Sequence, residues 1–223
     1  MMIKSLVTGI ALVGLLTVSN FTNAAESKSD GKLYVEVGGT WSQPSDADAE
    51  FTTQNTNASW DLSDMKGIKV QIGSDFGKFR IDAKFQYLEG DVDGISGGVT
   101  NVRSVTGGDG PNAALGVATL NFYADLALPN RGSENKFTPY LGAGVGLARG
   151  FMQAEGTFDP AGARPSALRE DHRTGDGTAL AGIAGAFFKV NDKMGLTTEY
   201  EYLNVGFGGL SNHSLSVGLR FAF

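Results

Sequence analysis

The 223-residue chain has no cysteine. That excludes a disulfide framework, a zinc–thiolate centre and a lipidated N-terminal cysteine, so closure and packing must hold the fold together. Basic residues are few: 18 Lys and Arg stand against 24 Asp and Glu, for a formal charge of −6, with no basic stripe for nucleic acid to follow. There are only two histidines, His172 and His213, which leaves little material for a metal cluster or a charge-relay site. Long apolar runs are also scarce. The longest, residues 6–18 (LVTGIALVGLLTV), falls short of the roughly twenty residues that a membrane-crossing helix needs. It follows Lys4 and precedes a small-x-small site at residues 22–24, the layout of a secretory signal peptide. The expected division is a cleaved segment, residues 1–24, and one domain, residues 25–223. A mature chain without an apolar helix can cross a bilayer only as a closed sheet, because lipid offers no partner for free backbone groups.

Glycine is abundant, at 32 residues, and the rest of the chain alternates. In the last eleven residues Leu215, Val217, Leu219, Phe221 and Phe223 are apolar, and Ser214, Ser216, Gly218, Arg220 and Ala222 between them are polar or small. Period two places these sets on opposite faces of a strand about as long as a tilted bilayer crossing. Leu33 to Trp41 alternates likewise, with Tyr34 and Glu36 on the polar face. Two further runs form a hairpin about Gly77-Lys78: Ile68, Val70 and Ile72 oppose Lys69 and Gln71, then Phe79, Ile81, Ala83 and Phe85 oppose Arg80, Asp82 and Lys84. A fourth strand over residues 113–128 carries Leu120, Phe122, Ala124 and Leu126 outward and Asn121, Tyr123 and Asp125 inward, its phase before Leu120 open. The fifth begins at Phe137. The sixth, residues 178–189, has faces that the pattern does not fix. In the seventh, Tyr200 and Tyr202 oppose Glu199 and Glu201. Residues 42–63, 89–112 and 149–177 read as long loops, and the remaining connections as short or medium.

Eight strands with alternating long and short connections predict an all-β fold, an eight-stranded antiparallel up-and-down transmembrane β-barrel. A soluble eight-stranded barrel would put apolar groups inside; here the polar faces hold the charges. A barrel of this size is filled by its own side chains. Glu36, Lys69, Asp75, Arg80, Asp82, Lys84, Glu199, Glu201 and Arg220 are therefore expected to meet in the lumen, as a satisfied polar plug or as the wall of a narrow passive pore. The glycines of the fifth strand leave room beside them for water.

Other patterns lead nowhere. Gly142-x-Gly144-x-Gly146 lies on one strand face, with no helix N-terminus to hold a phosphate. Asp91-x-Asp93-Gly94 lacks the third acid and closing Glu of a calcium loop. His213 and Ser214 are adjacent and point to opposite faces, so they do not form the His–Ser pair of a lipid-hydrolysing barrel. Arg164, Arg169, His172 and Arg173 could contact lipopolysaccharide phosphates, but five acids share their segment.

FTPYLGAGVG (137–146), KVNDKMGL (189–196), EYEYLNVG (199–206) and the terminal Phe223 resemble the OmpA-like and opacity-type superfamily of small outer-membrane barrels. The resemblance implies location in the outer membrane of a Gram-negative bacterium, in contact with outer-membrane lipid and lipopolysaccharide. Both termini would then be periplasmic, with four loops outside. It implies that Leu215, Val217, Leu219, Phe221 and Phe223 form the strand read by the barrel assembly machinery. It implies no cofactor and a non-enzymatic role: adhesin, surface antigen or other porin-family protein, with loops that contact a host or extracellular ligand. The chain stops at the barrel, so no wall-binding domain is expected.

Overall fold

The computed structural model describes residues 31–45, 47–50, 57–96, 113–126, 136–158, 166–207 and 209–223; the expected signal segment, residues 1–24, lies outside them. Among the described residues the elements are all strands: β1 (Lys32–Pro44), β2 (Ala47–Glu50), β3 (Asn57–Leu62), β4 (Met65–Asp75), β5 (Phe79–Gly90), β6 (Val92–Ser96), β7 (Ala113–Asp125), β8 (Phe137–Phe158), β9 (Ser166–Lys189), β10 (Met194–Val205) and β11 (Ser211–Ala222). Eight of them close into an antiparallel barrel in the order β1-β11-β10-β9-β8-β7-β5-β4, and β2, β3 and β6 form a small separate sheet. The ring shuts where the first strand meets the last, from Tyr34 opposite Ala222 to Pro44 opposite Asn212.

Alternation explains which strands form and which way they face. Leu147 is 69% exposed and Leu120 59%, whereas Arg80 and Lys69 are each 1% exposed. Apolar groups outside and charges inside suit a barrel whose solvent is lipid. Aromatic residues mark two levels on the outer face. Phe76, Phe79, Phe122, Phe188 and Phe221 stand toward the short-turn end, with Trp41, Tyr200 and Tyr202 toward the other. Such belts favour the two membrane–water boundaries.

The β4–β5 hairpin turns on Gly77 and Lys78, as its sequence predicts. Gly77 has a φ of 86°, in the region that a side chain disfavours. The fourth strand, β7, keeps one phase throughout, so Leu115 and Val117 point inward with Asn121 and Tyr123. In the sixth, β9, Ala179, Ala181 and Ile183 are buried and Leu180 and Phe188 exposed. Both strands were hard to phase for the same reason: near the loop end the inner face is apolar too.

Two of the expected long loops are partly strand. Residues 42–63 contain the end of β1 together with β2 and β3, and residues 89–112 contain the end of β5 and β6. The segment 149–177 is mostly extended. β8 and β9 stay paired to Phe158 opposite Ser166, with a register shift between Ala154 and Gly156. β7 accompanies β8 only to Met152, so the hairpin runs on as a two-stranded ribbon for roughly 20 Å at strand rise. Hydrophobic alternation fades from the sequence beyond the barrel. Backbone ladders persist without it.

The glycines of the fifth strand, β8, are occupied rather than open. A Cβ on Gly142 would lie 2.5 Å from the Tyr123 ring, and one on Gly144 would collide with the Asn121 side chain. The space expected for water beside the charges is taken by these two side chains from β7. Gly142→Ala should therefore cost about 1–3 kcal/mol as an overpacked site. Urea unfolding in lipid vesicles measures it, and a loss below a few tenths of a kcal/mol would show that Tyr123 moves aside freely.

Candidate functional site in the barrel lumen

The inward positions of seven neighbouring strands build one ionic network. Glu36, on β1, is its centre. Its Oε2 accepts from Arg220 Nη2 and Nε at 3.0 and 3.1 Å, and its Oε1 accepts from Thr197 Oγ1 at 2.8 Å and lies 3.0 Å from Lys69 Nζ. Lys69 also donates to Glu199 Oε1 at 3.2 Å, which lies 3.7 Å from Lys84 Nζ; Lys84 in turn pairs with Glu201. The Gln71 amide is oriented by its neighbours, nitrogen toward Glu36 Oε1 (2.9 Å) and oxygen toward the Tyr123 hydroxyl (3.1 Å). Tyr140 donates to Glu199 at 3.2 Å.

Aromatic rings flank the guanidinium groups. Arg80 lies 4.3 Å from the Tyr140 ring centre and 5.0 Å from that of Tyr123, and Arg220 lies 4.4 Å from that of Tyr34. These contacts suit a planar cation held away from water. All these groups are buried, so each charge depends on its partners and not on solvent.

Seven of the nine expected charges, Glu36, Lys69, Arg80, Lys84, Glu199, Glu201 and Arg220, take part in lumen ion pairs. Asp82 is buried there and forms no ion pair within 4 Å among the described residues; it accepts from the Tyr34 hydroxyl (2.7 Å) and Asn121 Nδ2 (2.9 Å). Asp75 stays out. It stands at the hairpin end, where its carboxylate accepts from the Gly77 amide at 2.7 Å, while Arg80 pairs with Asp125 at 2.9 Å. Asp125 is the charge that the expected set lacked. Its inward phase was readable, but only the pairing of β5 with β7 shows that Arg80 reaches it.

The network fills one part of the lumen. Toward the loop end a second, apolar layer follows, with Leu88, Leu115, Val117, Ala148, Ala179, Leu203 and Val205 buried in one cluster. Phe207, from the β10–β11 connection, packs against it. Its ring rests on three glycines: a Cβ on Gly150, Gly175 or Gly177 would lie 2.7–2.9 Å from it. Gly209, with a φ of 62°, and the Val205 amide bond to Leu210 O at 2.9 Å hold that turn. Sequence reasoning missed this layer because Phe207-Gly-Gly-Leu210 lies between strands and follows no period.

Of the basic loop residues, Arg164 lies outside the described residues. Arg169, His172 and Arg173 belong to β9 in the ribbon, His172 opposite Gln153 and Arg173 opposite Met152. The expected assembly strand is β11, with Leu215, Val217, Leu219 and Phe221 outward and the Phe223 amide donating to Leu33 O at 2.9 Å. His213 is exposed and Ser214 buried, so they do face opposite sides.

Comparison with known proteins agrees with this architecture. No curated protein sequence matches the chain. Among solved structures, neisserial surface protein A is 15% identical, with a TM-score of 0.54 over 86% of this chain and 97% of its own. The attachment invasion locus protein Ail of Yersinia pestis, solved with the heparin analogue sucrose octasulfate, is 12% identical with a TM-score of 0.50, covering 87% and 100%. The outer membrane protease OmpT from Escherichia coli is 10% identical with a TM-score of 0.50, covering 88% and 99%. At these identities the likeness is one of fold. A family model matches residues 8–223, nearly the whole sequence, and by that match the chain belongs to the outer membrane protein beta-barrel domain family.

Proposed function

We propose that the protein is a non-enzymatic surface-recognition barrel of the outer membrane, whose contacts are made by the segments beyond the membrane and not by the lumen. One observation carries this reading: the lumen is filled twice over, by the ionic network and then by the apolar layer under Phe207. A solute would have to part both. Beyond the rim, the β8–β9 ribbon and the β2-β3-β6 sheet offer backbone edges on which an extended partner can add a strand. Arg169, His172 and Arg173 lie on that ribbon and are the side chains to replace first in a search for an anionic ligand, host or bacterial. A hydrolytic role has little to stand on: Ser214 is turned inward, and the partner of His213 Nδ1 is the Tyr200 hydroxyl at 2.7 Å.

The narrow pore is the second reading. Two buried polar atoms without a hydrogen-bond partner, Thr119 Oγ1 on the residue opposite Lys84 in the β5–β7 ladder and Glu201 Oε1 on the carboxylate that pairs with Lys84, favour water in that part of the lumen. Single-channel recording in planar bilayers separates the two. The refolded protein should be silent, and so should Phe207→Ala, because the ion network still blocks the path. Discrete openings in the unmodified protein that change with Arg80→Ala would overturn the sealed reading and make the lumen the working part.

A further inference from the structure

The outer wall carries a groove of about 400 Å³ at the loop-end aromatic level, lined by Trp41, Gln43, Tyr200, His213, Ser214 and Leu215. Strand register builds it in two rows. Tyr200, Leu215, Trp41 and Lys66 stand side by side across β10, β11, β1 and β4; Tyr202, His213 and Gln43 form the next row toward the loops. The lower row is mostly apolar and the upper row polar. Apart from Ser214, which is buried and turned inward, these side chains are on the lipid-facing side, at 40–54% exposure for Trp41, Tyr200, Tyr202 and Leu215.

We infer that this groove is a binding site for one lipid of the loop-end leaflet, a lipid with an anionic phosphate headgroup. Its position selects the occupant, because what touches the outside of a membrane barrel at this depth is lipid. Its chemistry selects the headgroup. The Tyr200 hydroxyl and His213 Nδ1 share a hydrogen bond of 2.7 Å. If the hydroxyl donates, the neutral ring keeps its proton on Nε2, which then offers an N–H. If the ring donates, the hydroxyl is left to offer its own proton. Either way one donor is left for a lipid oxygen. The Tyr202 ring, 5.1 Å from His213, holds the imidazole from the other side. Lys66, exposed beside Trp41, adds a positive charge at the boundary. Glu89, opposite Lys66 in the next ladder, accepts from Tyr87 at 2.8 Å. Below the donors, Leu215 and the Trp41 indole give the first methylenes of an acyl chain an apolar floor.

Trp41 is its own reporter, since the only other tryptophan is Trp60. In the Trp60→Phe protein, reconstituted with dibrominated phosphatidylcholine, bromine quenches Trp41 and an unbrominated competitor relieves the quenching. Phosphatidic acid should compete about fivefold better than unbrominated phosphatidylcholine, the factor that one near-surface charge contributes. Lys66→Ala should bring the ratio toward one, and so should Tyr200→Phe combined with His213→Phe, which removes both groups that could donate to the lipid. All three positions face outward, and retained heat-modifiable gel mobility verifies folding. A reporter at Leu147→Trp, on β8 and away from the groove, in a protein without Trp41 and Trp60, should show no preference. Equal competition by the two lipids at Trp41 overturns the inference. So does a preference that survives in both variants, or one that is equally strong at position 147, which would be general surface charge and not a site.

Discussion

Replacing Glu36 with alanine is expected to lower the unfolding free energy of the barrel by about 3–5 kcal/mol, the usual cost of leaving buried charges without their partner. Glu36 holds two cations at once, Lys69 at 3.0 Å and Arg220 through two nitrogens, and it is fully buried. Its loss would leave Arg220 with the Tyr34 and Phe187 rings and no carboxylate, and Lys69 with Glu199 alone. Because Glu36, Lys69, Glu199 and Arg220 stand on the adjacent strands β1, β4, β10 and β11, the damage falls on the seam that closes the ring. Urea titration of the folded protein in lipid vesicles, followed by tryptophan emission, gives the number. Ser216→Ala, on the same inner face, is the control: it removes a neutral hydroxyl contact with Thr40 (2.9 Å) and should cost about 1 kcal/mol. A Glu36→Ala loss no larger than that of Ser216→Ala would mean that water reaches the network and screens it. The plug, and with it the sealed lumen, would then have to be given up.

The barrel strands were legible because lipid imposes one rule on every residue that crosses it: apolar outward, anything else inward. Lys69, Arg80 and Lys84 betray the inner face of β4 and β5, since a full charge on the lipid side would be costly. The rule also placed Glu199, Glu201 and Arg220. It gave faces and not distances, so it counted Asp75 among the lumen charges although a turn amide claims that carboxylate. It failed wherever its cause is missing. In β7 and β9 the lumen turns apolar and both faces look alike, and along the ribbon the sequence does not alternate. Phe207 was illegible for a different reason. Its role depends on Gly150, Gly175 and Gly177, which share a surface only after β8 and β9 have paired.

The same rule makes a depth series the strictest test of how the barrel sits in the bilayer. On β11 the outward residues run His213, Leu215, Val217, Leu219 and Phe221, with Tyr202 beside His213 at one level and Phe221 in the opposite aromatic belt. Val217, 51% exposed, stands midway between the two levels. Val217→Arg should cost about 2–4 kcal/mol, the price of a guanidinium at the midplane of a barrel's lipid face. Leu219→Arg should cost less, and Phe221→Arg, already at a belt, about 0–1 kcal/mol beyond the loss of its ring contacts, since there the arginine can reach water. Ser216→Arg is a different experiment, because its neighbours are the lumen hydroxyls and the loss would be steric. Unfolding free energies in vesicles of one thickness should therefore peak in cost at Val217 and fall toward both ends. A flat series would contradict the placement of these residues against lipid. A maximum at Phe221 would move the bilayer toward the short turns by four residues of β11, about 13 Å along the strand, and the groove at Trp41, Tyr200 and His213 would then stand in water, where no lipid could fill it.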